Sequence, residues 1–410
     1  MTIFFSNFRF RKKMNFKNLI VSLLFLFGSS FGQSWNKLQD FPGVARDDGS
    51  TFTIGNKVYG GTGLQVGWTC ANDFYVFDLT TETWGVIAPL PLIASRQYGV
   101  GFSILGKGYV FGGVNDSGSL LNDLWEYNPT TNTWLLKSPM PSIGRSGAVA
   151  FVINEIVYII GGKTSSNNAI PETWMYNPIT NSWTQLANLP INGIWRGVSF
   201  TNNSKGFVGL GKNNLDHYNK LFYEYAPTTN TWSQVLGYSH SGRAYTGYAQ
   251  IGNFGYLFGG ADSLGFIDNS FEKIDLSNFS TFLLNSFTSI PRKGCMAFVG
   301  NSSFYITTGV STAARFNETW KASNVVSMYE SDNDETVVVF PNPAKDNITI
   351  TLKNTQLKLV KIYNYLGQEV LFVESNNSEV NISTSFEVGV YSLHIFTENN
   401  TKIVRKLIIN

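Results

Sequence analysis

The chemistry that this sequence could support rests first on six arginines placed at nearly even intervals of about 50 residues. A guanidinium group binds a carboxylate through two parallel hydrogen bonds and also stacks on aromatic rings. Conspicuous tryptophans and histidines lie near these arginines. The pattern therefore predicts a site for carboxylates, sugars or acidic peptides, with these ligand-binding residues: Arg46, Arg96, Arg145, Arg196, Arg243, Arg292, Trp68, Trp195, His217 and His240.

An arginine that recurs in every repeat also fits a structural role, in which it completes the hydrogen bonding of its own repeat. This interpretation is favoured because acidic residues recur at one repeat position as well. The tryptophans and histidines that break the pattern are then the better ligand candidates. The recurring acids are Asp73, Asp123, Glu172 and Glu318.

Sequence motifs for catalysis, metal binding or cofactor binding are missing. The chain has three histidines and two cysteines, and no HExxH, CxxC or P-loop pattern occurs. The glycine pairs lead into loops rather than into helix starts, so they offer no phosphate cradle. We therefore expect no catalytic residue, no metal and no cofactor.

The arginines belong to a longer repeat, which is clearest in residues 96–134. Short runs rich in β-branched and aromatic residues are separated there by Gly, Asn and Pro, which predicts four antiparallel strands, here called a to d. One such sheet cannot bury both faces, so neighbouring copies have to cover it, and twisted sheets packed around an axis form a propeller. Each copy closes on an aromatic residue, and four carry a glycine doublet: Trp35, Trp84, Trp134, Trp183, Trp232 and Phe282; Gly60-Gly61, Gly112-Gly113, Gly161-Gly162 and Gly259-Gly260.

This order of arginine, glycine doublet, tyrosine and tryptophan resembles kelch repeats over roughly residues 34–322. The resemblance implies an all-β protein with a six-bladed β-propeller. The sixth copy runs from Arg292 to Trp320 without a closing tryptophan, whereas Trp35 is a spare closing residue at the other end. We therefore expect the N-terminal strand to complete the last blade and to close the ring, giving a propeller over residues 33–326.

In a propeller of this strand order the d–a and b–c loops share one face, and the candidate ligand residues map to it. We predict a binding module for a protein or a glycan at this face. Among kelch-like enzymes, the copper oxidase of galactose needs a set of histidines, tyrosines and a cysteine that cannot be placed here. The sialic acid epimerase uses an arginine-rich centre, and this similarity leaves a sugar-acid-modifying enzyme open as the alternative.

The first 32 residues have the pattern of a secretory signal peptide. Basic residues precede the apolar stretch Leu19–Phe27, and small residues follow at the cleavage positions. The rest of the chain is nearly neutral and has no basic stripe for nucleic acid. After signal removal we expect no membrane span, no nucleic-acid partner and a monomeric protein.

Residues 327–335 are polar and acid-rich, which is typical of a linker, and residues 336–410 start a new pattern of strands that suits a small β-sandwich. This segment resembles the type A C-terminal sorting domain of the Bacteroidota type IX secretion system. The resemblance implies that the secretion machinery is a partner and that the protein is released or attached at the cell surface. The matching features are Phe340-Pro341-Asn342-Pro343, the strand Val360–Asn364 with Gly367, Gly389-Val390-Tyr391 and the strand Lys402–Ile409.

The two cysteines, Cys70 and Cys295, fall in blades 1 and 6 of the expected ring, which are neighbours. A disulfide across this seam would be stable in an oxidising compartment. Two unrelated buried thiols are slightly favoured over the disulfide, and both alternatives stay open at this point.

Overall fold

The structure is a computed structural model that describes residues 33–164, 168–202, 204–238, 241–325, 337–353, 355–364, 368–398 and 402–410. The chain divides into two compact units, Met1–Val325 and Val326–Asn410. Regular structure in the described residues is β-strand, apart from the short 3-10 helix Leu92–Ala94. The expected signal peptide (1–32) and linker (327–335) lie outside the described residues.

Six four-stranded antiparallel sheets form the blades of a propeller in the described part of the first unit. Strands a to d of blades 1, 2 and 3 are, in order, Ser50–Ile54, Lys57–Gly61, Phe74–Asp78, Thr83–Val86; Val100–Ile104, Lys107–Val114, Leu120–Asn128, Thr133–Lys137; and Val149–Ile153, Ile156–Ile160, Thr173–Asn177, Ser182–Leu186. Those of blades 4, 5 and 6 are Val198–Asn202, Lys205–Gly209, Phe222–Ala226, Thr231–Val235; Gly247–Ile251, Phe254–Phe258, Phe271–Asp275, Thr281–Leu283; and Met296–Gly300, Ser303–Thr307, Thr319–Ala322, Trp35–Lys37. A further pair, Arg46–Asp47 and Leu64–Gln65, lies beside blade 1.

The N-terminal strand completes blade 6, as the sequence predicts. Trp35–Lys37 pairs antiparallel with strand Thr319–Ala322. The buried Trp35 ring packs edge-on against Phe287, with 5.0 Å between ring centroids, and its indole N–H donates to the Asn285 carbonyl at 3.0 Å. Strands from the two ends of the propeller therefore share one sheet, and this closes the ring.

The recurring tryptophans hold neighbouring blades together. The indole N–H of Trp134 donates to the Ala88 carbonyl of the loop before its blade at 2.9 Å, and Trp183 makes the same bond to Ser138 at 2.8 Å. Phe282 stands at this position in blade 5, and its side chain has no N–H group.

The structure corrects the position of the glycine doublet in blade 1. In blade 2 the N–H of Gly113 donates to the carbonyl of Arg145 in the next blade, and in blade 1 the N–H that donates to Arg96 is that of Gly63. The pair in blade 1 is therefore Thr62-Gly63 rather than Gly60-Gly61. Gly63 has φ of 96° and Gly113 has φ of 106°, a conformation that only glycine adopts readily.

The two cysteines do not form a disulfide. The Cys70 sulfur faces the Val114 carbonyl of blade 2 at 3.6 Å, whereas the Cys295 sulfur lies 3.6 Å from the Thr308 carbonyl of its own blade. The two thiols contact different blades, so the disulfide alternative is wrong.

The second unit is a small β-sandwich, as the sequence predicts. One sheet contains Val337–Phe340, Asn347–Leu352 and Glu379–Ser383, and the other contains Glu369–Glu374, Leu357–Tyr363, Gly389–Thr397 and Lys402–Ile409. Ile350, Val360 and Leu393 are fully buried between them. The sequence patterns had not indicated strand Glu379–Ser383.

Candidate functional site at the centre of the propeller

A closed ring of backbone hydrogen bonds surrounds the propeller axis where the a strands begin. The N–H of one residue in each blade donates to the carbonyl of its counterpart in the preceding blade, at 2.8–3.3 Å. All six residues have φ between 58° and 64°, a region that is strained for residues other than glycine. The ring consists of Asp48, Tyr98, Gly147, Arg196, Tyr245 and Gly294.

The ring shows that Arg196 does not share the repeat position of the other five arginines. Its counterpart in blade 2 is Tyr98, which follows Arg96 by two residues, so the counterpart of Arg96 in blade 4 is Ile194. The acid of that blade is also replaced, because Leu221 stands where the other blades have a polar residue. Blade 4 thus has an apolar contact in place of the ion pair, with Ile194 buried and Leu221 packed against the same core cluster.

The other five arginines are buried and each pairs with a carboxylate of its own blade. Arg96 is typical: Nη1 and Nη2 each donate to an Asp123 oxygen at 2.8 Å, and Nη1 also donates to the Gly112 carbonyl at 2.9 Å. This pairing supports the structural role, and we do not include these five residues in the proposed site. The pairs are Arg46–Asp73, Arg96–Asp123, Arg145–Glu172, Arg243–Glu272 and Arg292–Glu318.

Arg196 extends across the axis to Asp48 of the opposite blade, with 2.6 Å between Nη1 and Oδ1. Its guanidinium carbon lies 3.3 Å from the ring centre of Tyr98 and 4.6 Å from that of Tyr245, which also come from opposite blades. The Arg196 side chain is only 8% exposed. Its Nε and Nη2 atoms are buried and have no hydrogen-bond partner among the described residues.

The carboxyl group of Asp48 is poorly placed to ionise. Burial is the main cause that raises the pKa of Asp48 to about 8; Arg196 opposes this shift and the neighbouring Asp47 adds to it. Asp47 in turn accepts a hydrogen bond from Arg315, whose guanidinium lies 4.4 Å from the ring centre of Trp68. A chain of polar contacts therefore runs from the axis to the exposed Trp68.

A central cavity of about 530 Å³ lies on the strand side of the ring. Arg196 and the other ring members line one end of it, and Thr53, Thr201 and Gln250 line the other end, where the a strands finish. The lining residues belong to the ring and the a strands, so this space is the propeller channel.

On the loop side of the ring, three lysine ammonium groups surround the edge-to-face pair of Trp195 and Tyr245. Lys163 Nζ lies 4.4 Å from the Trp195 ring centre, and Lys293 Nζ lies 4.9 Å from the Tyr245 ring centre. Lys212 Nζ lies 5.7 Å and 5.8 Å from the two rings. In the described part of the chain only Lys212 has a carboxylate partner, Asp216 at 2.9 Å. We call Lys163, Lys212 and Lys293 the lysine cluster; it carries excess positive charge.

The structure brings some of the sequence candidates together and separates others. Trp195 is buried within the lysine cluster, next to Arg196. Trp68 is 75% exposed in the b–c loop of blade 1. His217 is exposed in the b–c loop of blade 4, where its backbone N–H donates to Asn213. His240 lies outside the described residues.

Sequence reasoning missed Asp48 and the lysine cluster. The sequence did contain one indication that Arg196 is displaced from the repeat position. The position midway between Arg145 and Arg243 is occupied by Ile194 and not by Arg196. No signal pointed to the cluster, since Lys163 and Lys293 belong to different blades and each contacts an aromatic ring of a neighbouring blade.

Comparison with known families now assigns both units. The KLHDC2/KLHL20/DRC7 Kelch-repeats domain matches residues 49–260, which is more than half of the chain. The chain belongs to the kelch-repeat family. A secretion system C-terminal sorting domain matches residues 338–410. The kelch-repeat protein is therefore exported through type IX secretion to the cell surface or extracellular space of a Bacteroidota bacterium. None of the described residues forms an apolar helix of the length that a bilayer crossing requires.

Two curated relatives and one solved structure are similar to parts of this kelch-repeat protein. It is 38% identical over 95 residues to "Endo-acting ulvan lyase" of Formosa agariphila, covering 22% of this chain and 18% of that protein. It is 31% identical over 93 residues to "Ulvan lyase NLR42" of Nonlabens ulvanivorans, covering 22% and 17%. The chain thus spans less than a fifth of these relatives. "Structure of YjhT" matches with a TM-score of 0.59 and 19% identity over 69% of this chain and 96% of that chain, which shows the fold alone.

Proposed function

We propose that the exported propeller is a binding module that takes an anionic protein or glycan ligand on its d–a/b–c loop face. The observation that carries this proposal is the lysine cluster, in which Lys163 and Lys293 have no carboxylate partner among the described residues. An ammonium group without a carboxylate partner attracts an anion, and several on one face add to the positive potential there. Trp195 and Tyr245 hold the positive charge in place through cation–π contacts.

Exposed apolar side chains on loops of the same face favour a protein over a glycan as the anionic ligand. Leu92 and Ile93 precede blade 2, Leu264 and Phe266 lie in the b–c loop of blade 5, and all four are more than half exposed. The aliphatic Leu92, Ile93 and Leu264 give a sugar ring no flat surface to stack on, whereas a protein partner buries them readily. The exposed aromatic rings of Trp68 and Phe266 are the groups on this face that suit a glycan.

A sugar-acid-modifying enzyme acting at the same face is the second candidate. It is supported by Asp48, whose raised pKa keeps a proton near neutral pH beside Arg196 and two tyrosines. Such a carboxyl group suits general acid catalysis. Under this alternative Asp48→Asn abolishes turnover of a sugar acid, whereas under the binding proposal it leaves ligand binding at the lysine cluster intact.

The proposed function is tested with the full chain against poly-L-glutamate, polygalacturonate and neutral dextran. Lys163→Ala/Lys293→Ala is expected to weaken binding of the acidic polymers about tenfold, because it removes two unpaired charges from the loop face. Lys57→Ala/Lys205→Ala is the matched control, since these lysines begin b strands at the opposite end of the blades. An equal loss in both double variants, or no binding of either acidic polymer, would contradict the proposal.

A further inference from the structure

We infer that Arg196 forms a second anion site, on the channel side of the ring, for the carboxylate of a small organic molecule, and that Asp48 controls this site by carrying or releasing a proton. The site is separate from the lysine cluster and does not depend on the proposed loop-face function. No residue of the lysine cluster lines the channel cavity.

The first step is that blade packing does not need Arg196. The arginine position of blade 4 is filled by Ile194, and the position of its acidic partner is filled by Leu221. Arg196 is therefore an additional guanidinium, placed at the axis by the strained ring. Backbone strain and a buried charge both cost free energy, and they tend to persist where a function requires them.

The second step concerns the donors that Arg196 leaves unused. Nη1 donates to Asp48, whereas Nε and Nη2 are buried without a partner among the described residues. These two atoms form one edge of the planar guanidinium, and their N–H groups match the two oxygens of a carboxylate. An unpaired buried donor of a charged group is costly, so a ligand that fills this edge is stabilised by it.

The third step is the shape of the surroundings. Tyr98 and Tyr245 contact the guanidinium group of Arg196, which fixes its orientation at the axis. Arg196 also lines the cavity of about 530 Å³, which leaves room for the body of a small organic molecule. The far end of the cavity, at Thr201 and Gln250, is the proposed route of access.

The fourth step is the charge balance around Asp48. When Asp48 is protonated, the buried Arg196 has lost its counter-charge and a ligand carboxylate can supply it. When Asp48 is ionised, it neutralises Arg196 itself and repels the ligand. The titratable and charged groups that face Asp48 are Arg196, Asp47, Tyr98, Tyr245 and Cys295, with Arg315 held against Asp47.

Proton linkage follows from this arrangement. Between the pKa of the ligand's own carboxyl group and the pKa of Asp48 the affinity is expected to be constant, and above the pKa of Asp48 it falls about tenfold for each pH unit. Asp48→Asn keeps a neutral group at this position, so its affinity is expected to stay constant across the same range.

The test titrates the full chain with sodium formate and sodium acetate, with sodium chloride at matched ionic strength, and follows binding by calorimetry and by the Nε–H resonance of Arg196. Arg196→Lys keeps the charge but loses the two-donor edge, and it should weaken carboxylate binding about tenfold or more. Arg96→Lys alters a fully paired arginine of the repeat and should leave carboxylate binding unchanged.

If Arg196→Lys does not fold, the pH dependence of carboxylate affinity in Asp48→Asn still tests the inference. A pH-dependent affinity in the wild type and a constant one in Asp48→Asn support the site. Carboxylates that bind no better than chloride, or the same pH profile in wild type and Asp48→Asn, would overturn it.

Discussion

Arg196 donates a hydrogen bond to Asp48 across the axis of the propeller, with 2.6 Å between Nη1 and Oδ1, although 148 residues separate them in the chain. They belong to blades 1 and 4, which share no sheet. The pair therefore connects opposite sides of the ring and occupies one end of the channel. Arg196 keeps its charge over the whole accessible pH range, whereas Asp48 gains or loses a proton within it. A change of pH therefore acts on the charge at the propeller axis through Asp48.

The stability of the protein should depend on Asp48 between mildly acidic and mildly alkaline pH. Asp48 has a raised pKa in the folded protein, about 8, whereas an unfolded aspartate titrates near about 4. In this interval the folded chain binds more protons than the unfolded chain, so the free energy of unfolding falls as pH rises. Denaturant midpoints across this interval should fall less steeply in Asp48→Asn, and parallel curves would contradict the assignment.

The structural arginines should be replaceable by an apolar pair but not one at a time. Arg145→Ile leaves the half-buried Glu172 without its counter-charge, and we expect a loss of about 1–3 kcal/mol in the free energy of unfolding. Arg145→Ile/Glu172→Leu copies the pair that blade 4 already has in Ile194 and Leu221, and it should recover most of that loss. Urea unfolding of the single and double variants measures this, and a double variant no more stable than the single one would argue against equivalence of the two blades.

Closure of the ring should depend on the N-terminal strand. Trp35→Ala removes a buried indole from between blades 5 and 6, and we expect a loss of about 3–5 kcal/mol in the free energy of unfolding. Asn36→Ala, in the same strand but exposed, is the control and should change stability little. Deletion of residues 34–42 should lower the thermal midpoint of unfolding sharply, and an unchanged midpoint would show that the N-terminal strand is not needed to close the ring.

The blades could be predicted from the sequence because their determinants are local and repeat. Gly113 and Trp134 mark one blade, and the same residue types at the same spacing mark the next. Arg196 shows where this approach fails, since a shift of two residues places a guanidinium at the axis instead of beside a carboxylate of its own blade. The lysine cluster could not be predicted either, because Lys163 and Lys293 reach their aromatic rings only through the packing of neighbouring blades.

The sequence also could not decide whether Cys70 and Cys295 form a disulfide, because that depends on contacts between blades. Blades 1 and 6 are neighbours, as the repeat predicts, but neighbouring blades do not fix the direction of a side chain. Cys70 contacts blade 2 on its other side, and Cys295 contacts its own blade.

The central claim, that an anionic ligand binds on the loop face, is tested most directly by hydrogen–deuterium exchange of the full chain with and without bound poly-L-glutamate. The account predicts slower exchange at backbone amides of the b–c loops of blades 3 and 4 and at the start of strand a in blades 5 and 6, including Lys212, Asp216, Tyr245 and Lys293. Slower exchange confined to the a–b and c–d turns, such as those at Asn56 and Asn154, would contradict it.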